Sequence, residues 1–141
     1  METSNKTNIT IEATVKAPVE KVWKYWNEPE HITQWAFASD DWHAPKSIND
    51  LRVGGKQITT MAAKDGSVSF DFECTYDKVE ENKLIEYTIA DGRKVKIVFT
   101  SNGDETKIVE TFEAEGSNPV EMQREGWQAI LNNFKKHTET N

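Results

Sequence analysis

The sequence predicts an α+β fold: a curved antiparallel sheet of about six strands wrapped around one long C-terminal helix, with two short helices after the first strand. Three observations carry that expectation. Residues 117–137, SNPVEMQREGWQAILNNFKKH, form one long amphipathic helical pattern. Between residues 56 and 114, alternating apolar and polar runs are separated by hairpin turn pairs, which means consecutive antiparallel strands and not βαβ units. One more strand pattern stands near the N-terminus, ahead of two helices each opened by a proline. A sheet with one apolar face needs a cover, and the last helix carries the one long apolar stripe that can supply it.

The elements follow in order. Residues 1–7 are polar and are expected to be a disordered N-terminus, leaving residues 8–138 as a single domain. NITIEATVK then alternates strictly, with Ile9, Ile11, Ala13 and Val15 on one face and Thr10, Glu12, Thr14 and Lys16 on the other. Pro18 opens a helix with Val19, Val22, Trp23 and Trp26 on one side, and Pro29 opens a second with Ile32 and Trp35. Residues 37–55 have no steady period and are expected to be a long functional loop, ended by a turn or bulge at Gly54-Gly55.

KQITTMAA runs to a turn at Asp65-Gly66, after which Val68, Phe70, Phe72, Cys74 and Tyr76 alternate with polar residues. Glu81-Asn82 leads into a strand with Ile85, Tyr87 and Ile89 on one face, and Asp91-Gly92 is a strong hairpin signal. The next strand aligns Val95, Ile97 and Phe99, and Asn102-Gly103 turns the chain into ETKIVETFEA. In the final helix Asn118 is the expected cap, Pro119 the first helical residue, and Glu121, three residues after the cap, completes a capping-box pattern. Val120, Trp127, Ile130, Leu131 and Phe134 share its stripe, while Arg124, Glu125, Gln128, Asn132 and Lys135 lie opposite. Gln123 interrupts the stripe.

Composition narrows the function. At 141 residues the chain is long enough for a real core. Five Trp, six Phe and three Tyr are many for a chain that is only 36% hydrophobic; they fill a core or line a cavity for a flat, greasy ligand. A net charge of −7 argues against binding nucleic acid or anionic membrane through bulk electrostatics. The single cysteine, Cys74, leaves no intramolecular disulfide and no CxxC site, and its place in a strand pattern marks it as a small core residue. The polar N-terminus has no signal-peptide core and no stretch reaches membrane-spanning length, so the expected location is cytoplasmic, with no membrane insertion.

Four stretches, in this order and spacing, carry a resemblance: APVEKVWKYWNEPEHITQW at 17–35, NDLRVGGK at 49–56, the Asp65-Gly66 turn, and GWQAILNNFKK at 126–136. Together they resemble the START-like (SRPBCC, helix-grip) superfamily, and within it the homologues of the activator of the heat-shock protein 90 ATPase, also described as polyketide-cyclase-like. The resemblance spans nearly the whole chain. It implies a sheet gripping the last helix with a cavity between them, and a function among the binding of hydrophobic small molecules, cyclisation chemistry and contact with a chaperone. Many family members carry a second Trp directly after the position of Trp35. Here that position is Ala36, which implies a wider pocket.

Two polar residues stand on faces assigned inward. Strand parity in TKIVETF puts Glu110 between Ile108 and Phe112. A carboxylate there orients a ligand hydroxyl or serves as general base; otherwise it sits at a bulge or pairs with Arg52 or a tyrosine. Gln123 is either a polar handle in the cavity or a first-turn side chain reaching solvent or backbone. Trp26, Trp35, Phe70, Phe72, Tyr87, Phe99, Trp127 and Phe134 are the expected aromatic wall, with Ile130 beside them and Trp42 over the mouth. The DDWH stretch, Asp40 to His43, lacks metal-ligand spacing, and His31 has no nucleophile to serve. No phosphate-binding or nucleophile motif is present, and no cofactor or metal is expected.

These features give three function classes. The first is a binding protein for a hydrophobic small molecule, aromatic, lipid-like or polyketide-like. The second is a co-chaperone-like interaction module with a chaperone as partner. The third is a cyclase or hydrolase using Glu110 or His43 as acid or base.

Overall fold

Strand pairing sets the architecture. The computed structural model, which describes residues 7–141, runs β1 (Asn8–Val15), α1 (Val19–Asn27), α2 (Pro29–Trp35), β2 (Trp42–Asn49), β3 (Lys56–Ala63), β4 (Ser69–Glu80), β5 (Leu84–Ile89), β6 (Lys94–Asn102), β7 (Glu105–Glu113) and α3 (Val120–Thr140). All strands join one antiparallel sheet in the order β1-β7-β6-β5-β4-β3-β2. It curls as a half-barrel beside the long C-terminal helix, the α+β helix-grip arrangement that the sequence predicts. The expected disordered N-terminus lies outside the described residues except for Thr7, whose carbonyl accepts the Ala114 N–H at 2.8 Å. No helix among the described residues is long and apolar enough to cross a membrane.

The strand count differs from expectation, because β2 lies within the stretch expected to be a loop. Its sequence, WHAPKSIN, hides the strand for a physical reason. Pro45 breaks both the alternation and the ladder, and the register with β3 shifts between His43 and Lys46. Proline is tolerated there because β2 is an edge strand, with one side free of pairing demands.

The hairpins follow the turn signals closely. Stepping outward in equal counts from Asp65-Gly66 gives the observed pairs Met61 with Phe70, Thr59 with Phe72 and Gln57 with Cys74. On β7, Glu110 faces Ile11 of β1 on one side and Ile97 of β6 on the other, with no register shift at that point. Ile9, Ile11, Val95, Ile97, Phe99, Ile108 and Phe112 are all buried, so these three strands supply the concave apolar face.

α3 is fastened at two places, one on that face and one on the two short helices. Trp127 stacks on Phe112 with ring centroids 3.9 Å apart and planes within 10°. One helical stretch further on, Phe134 sits edge-on to Trp26 at 4.8 Å and to Trp35 at 5.0 Å. The polar side of the helix also has a task. Arg124, Gln128 and Lys135 donate to the carbonyls of Thr10, Glu12 and Thr14, at 3.1, 3.2 and 2.8 Å. Those carbonyls belong to the outer edge of β1, so the helix covers an edge that would otherwise offer a template for further pairing.

The expected capping box is absent. Pro119 is the N-cap, with no side-chain cap bond, and Asn118 lies before it. Glu115 ties this entry instead, accepting the N–H groups of Ser117 and Asn118, both at 2.7 Å, which holds its carboxyl below the usual carboxylate range.

Two glycines differ sharply in what a methyl group would meet. At Gly55 an added Cβ would lie 2.1 Å from the Asp50 carbonyl oxygen, whereas at Gly126, inside α3, nothing lies within 4 Å. Gly55→Ala is therefore expected to lower unfolding free energy by about 2–3 kcal/mol. Gly126→Ala is expected to raise it by about 0.5–1 kcal/mol through helix propensity. Urea denaturation of the two variants against the parent checks both signs.

Candidate functional site

Between the two places where α3 is fastened, its apolar side leaves space over the inner strands of the sheet. The space is a cavity of ≈ 270 Å³. Ile130, Leu131 and Trp127 form its helical wall, and Ile32, Trp35 and Ala36 close it from α2, joined by Trp26 of α1. The sheet contributes Gln57, Thr59 and Met61 from β3, Phe70, Phe72 and Tyr76 from β4, Ile85 and Tyr87 from β5, and Glu110 from β7. Arg93 stands on the turn between β5 and β6. Aromatic rings dominate, and several brace one another edge-on, such as Phe72 against Tyr87 at 6.2 Å and against Trp127 at 6.3 Å.

The polar groups of β3 and β4 are mutually satisfied. Tyr76 Oη donates to Asn49 Oδ1 at 2.7 Å and accepts from Gln57 Nε2 at 3.2 Å. Thr59 bonds Ser47 Oγ at 2.9 Å and donates to Gln57 Oε1 at 3.3 Å. Asn49 Nδ2 continues the chain to the Asn27 carbonyl at 2.7 Å. This network holds the far wall of the cavity in one arrangement, since breaking any member leaves a buried polar group unpaired.

Glu110 is different. It is only 5% exposed, yet its carboxylate makes no hydrogen bond or ion pair among the described residues. Neither structural alternative raised by the sequence is present. Arg52 is at the surface, with Nε 2.9 Å from Asp50 Oδ2, and no tyrosine hydroxyl bonds Glu110. Arg93 is also engaged elsewhere, with Nε 2.8 Å from Asp91 Oδ2 and Nη1 donating to the Glu113 carbonyl at 3.4 Å. Burial therefore acts alone and raises the Glu110 pKa from 4.5 to about 8. Tyr87 is pushed well above the usual phenol range, first by burial and then by the neighbouring Glu110 charge.

The sequence-predicted residues separate cleanly. Trp26, Trp35, Phe70, Phe72, Tyr87, Glu110, Trp127 and Ile130 all line the cavity. Phe99 does not. It is turned toward the far side of α1, where Trp23 and Trp26 pack on it edge-on at 5.3 and 5.6 Å. Gln123 does not reach the cavity either: its amide donates to the Asn118 carbonyl at 2.8 Å and accepts the Glu115 N–H at 2.9 Å. It is a buried clasp on the loop entering α3, because a first-turn side chain lies closer to that loop's free backbone groups than to the sheet. Trp42 belongs to the edge strand and touches the site only through Phe70, 6.0 Å away and half exposed. Phe134 is fully buried in the core beside the cavity.

Gln57, Thr59, Met61, Tyr76, Ile85 and Arg93, with Ile32 and Leu131, were not singled out as site residues by sequence, whereas Ala36, expected to widen the pocket, lines it. For the β3 trio a signal existed, since equal stepping from the Asp65-Gly66 turn places them opposite the inward residues of β4. His43 is exposed on β2 and brings no second acid–base group to Glu110. His31 stacks on Tyr25 at 3.7 Å and meets His137, with Nδ1 and Nε2 3.0 Å apart. No group of three or more His, Cys, Asp or Glu among the described residues is placed to hold a metal ion. Cys74 is buried, and its thiol is pushed up to about 12.

Glu110 should mark the pH dependence of stability. Between its unfolded value of 4.5 and its folded value of about 8, the folded state keeps a proton that the unfolded state has shed. Stability from this group is therefore present below that window and is lost as pH rises through it, with a slope of up to about 1.4 kcal/mol per pH unit. Denaturation at several pH values is expected to show this decline in the parent and a flatter profile in Glu110→Gln. Matching profiles would remove the buried, unpaired carboxyl from the account.

The same architecture occurs in solved structures. The solution structure of the AHSA1-like protein from Aeromonas hydrophila is 44% identical with a TM-score of 0.89, covering 95% of this chain and 93% of that one. A protein from Cytophaga hutchinsonii, also solved in solution, is 63% identical with a TM-score of 0.82 and the same coverage, 95% and 93%. A crystal structure from Nitrosomonas europaea shares the fold at 17% identity, with a TM-score of 0.81 over 94% of each chain. No curated protein matches the chain significantly. The profile of the family described as Activator of Hsp90 ATPase homolog 1-like protein matches residues 16–139, almost the whole length, and the chain belongs to that family.

Proposed function

We propose that the protein binds a hydrophobic small molecule in the cavity beneath α3, within the cytoplasm. One observation carries the reading: an aromatic-lined space that the protein's own side chains leave unfilled, although the core around it is fully packed. A void of this size forfeits packing and hydrophobic stabilisation, by about 24 cal/mol per Å³ in measured core-truncation series. A ligand restores those contacts. The volume of ≈ 270 Å³ equals roughly nine waters at about 30 Å³ each, which suits a body of one or two fused rings better than a sterol. Ala36 supports the same reading, since it is 3% exposed and lines the cavity where a larger side chain would occupy it.

A second reading, activation of a chaperone ATPase, is favoured by the family's own description. It predicts stimulated chaperone ATPase turnover when the chain is added, and an unchanged rate would remove it.

For the binding reading, amide chemical shifts are expected to move on titration with two-ring aromatic compounds, at α3, α2 and the inward residues of β3 to β5. Ala36→Trp is expected to weaken that binding at least about tenfold by filling the space, with Ile130→Trp as a second, half-buried site for the same test. A panel of such compounds that leaves every shift in place would sink the small-molecule reading.

A further inference from the structure

Among the residues lining the cavity, Glu110 is the only acid and Arg93 the only base. Their situations are opposite. Arg93 is bound to Asp91 and to the Glu113 carbonyl, whereas Glu110 has no partner among the described residues. The other polar groups, on Gln57, Thr59 and Tyr76, are bonded to one another and to Asn49 and Ser47. Among the described residues the Tyr87 hydroxyl also makes no hydrogen bond, and Glu110 is the one lining carboxyl without a partner, a place an ammonium group can fill. The surfaces around it suit a cation, since Trp26, Trp35, Phe72, Tyr87 and Trp127 are aromatic rings, whose faces attract ammonium groups in a desolvated site. The net charge of −7 also draws cations toward the protein and repels anions.

We infer that the ligand is a flat apolar molecule bearing one protonated amine, seated with its ammonium group on the Glu110 carboxylate and its rings among the aromatic walls. The inference rests on the small-molecule reading and names its ligand class. Proton bookkeeping follows from the environment. In the empty cavity near neutral pH, burial keeps Glu110 protonated. The arriving ammonium takes the place of that proton: the carboxyl O–H bond breaks, the proton passes to solvent, and an N–H···O contact forms. The groups facing Glu110 do not take it up. Tyr87 and Tyr76 are already protonated phenols with raised values, the Arg93 guanidinium has no acceptor site for a proton, and the lining residues of α1, α2 and α3 carry no titratable group.

The test compares 2-(1-naphthyl)ethylamine with 2-(1-naphthyl)ethanol, which share a skeleton and differ in the amine. Titration calorimetry at pH 7, in two buffers of different ionisation enthalpy, reads affinity and proton release together. The amine is expected to bind at least about tenfold more tightly than the alcohol and to release about one proton per ligand. In Glu110→Gln the alcohol's affinity is expected to stay within about threefold while the amine's advantage disappears. Equal affinities in the parent, no proton release, or an advantage that survives in Glu110→Gln would each overturn the inference. Alcohol bound without preference for the amine leaves the small-molecule reading standing and removes this one. If neither compound binds, and neither moves the cavity residues' chemical shifts, both fall. Proton release is read on the parent protein, so the outcome does not depend on how well the variant folds.

Discussion

The structure depends on how α3 is fastened, to the curled sheet at one place and to α1 and α2 at another. Trp127 on Phe112 and Phe134 against Trp26 and Trp35 are the two anchor points of α3. They are seven residues apart, about 10 Å along the axis at 1.5 Å per residue. Between them the cavity opens, and Ile130 and Leu131 face open space as well as core. Large rings at both ends hold the surfaces apart as firmly as they hold them together. The cavity is a consequence of that geometry and needs no separate device to keep it open.

The same fastening settles the polar demands of the fold. With its apolar stripe committed to the sheet, α3 turns Arg124, Gln128 and Lys135 onto the carbonyl edge of β1. The tyrosine and amide network on β3 and β4 satisfies itself. Among the described residues, Asn27 Oδ1 and Thr138 Oγ1 are buried without a partner, and Glu110, between Ile11 and Ile97, is the one carboxyl on the cavity wall without one. An apolar residue there would stabilise the empty protein, because a buried carboxyl without a partner carries a desolvation penalty. Local rules broken without internal compensation are expected where function sits. That places the burden of explanation on the cavity.

Much of this was legible in the sequence, and what was not has identifiable causes. Hairpin turn pairs and strict alternation gave β4 to β7 and their inward faces, including Glu110, because one buried face forces period two. The stripe of α3 gave the helix and its two anchors. β2 was hidden by Pro45, whose disruption is tolerable only at an edge, and edge position is a tertiary fact. Gln123 fell on the correct face but in the first turn, where local backbone groups of the preceding loop compete for an amide. Phe99 was assigned to the correct face of β6, yet the packing of α1 rather than α3 covers that end of the strand. Thr59 and Gln57 carried no apolar signal, so only the register of their hairpin reveals them.

Glu110 stands unpaired in a largely apolar cavity beneath α3. The most direct test of this is carbon-13 NMR of the Glu110 side-chain carboxyl, titrated in the ligand-free protein. The account predicts a midpoint at about 8, set by burial alone. A midpoint in the ordinary carboxylate range, near 4.5, would mean that water or a hidden partner reaches the group, and would contradict it.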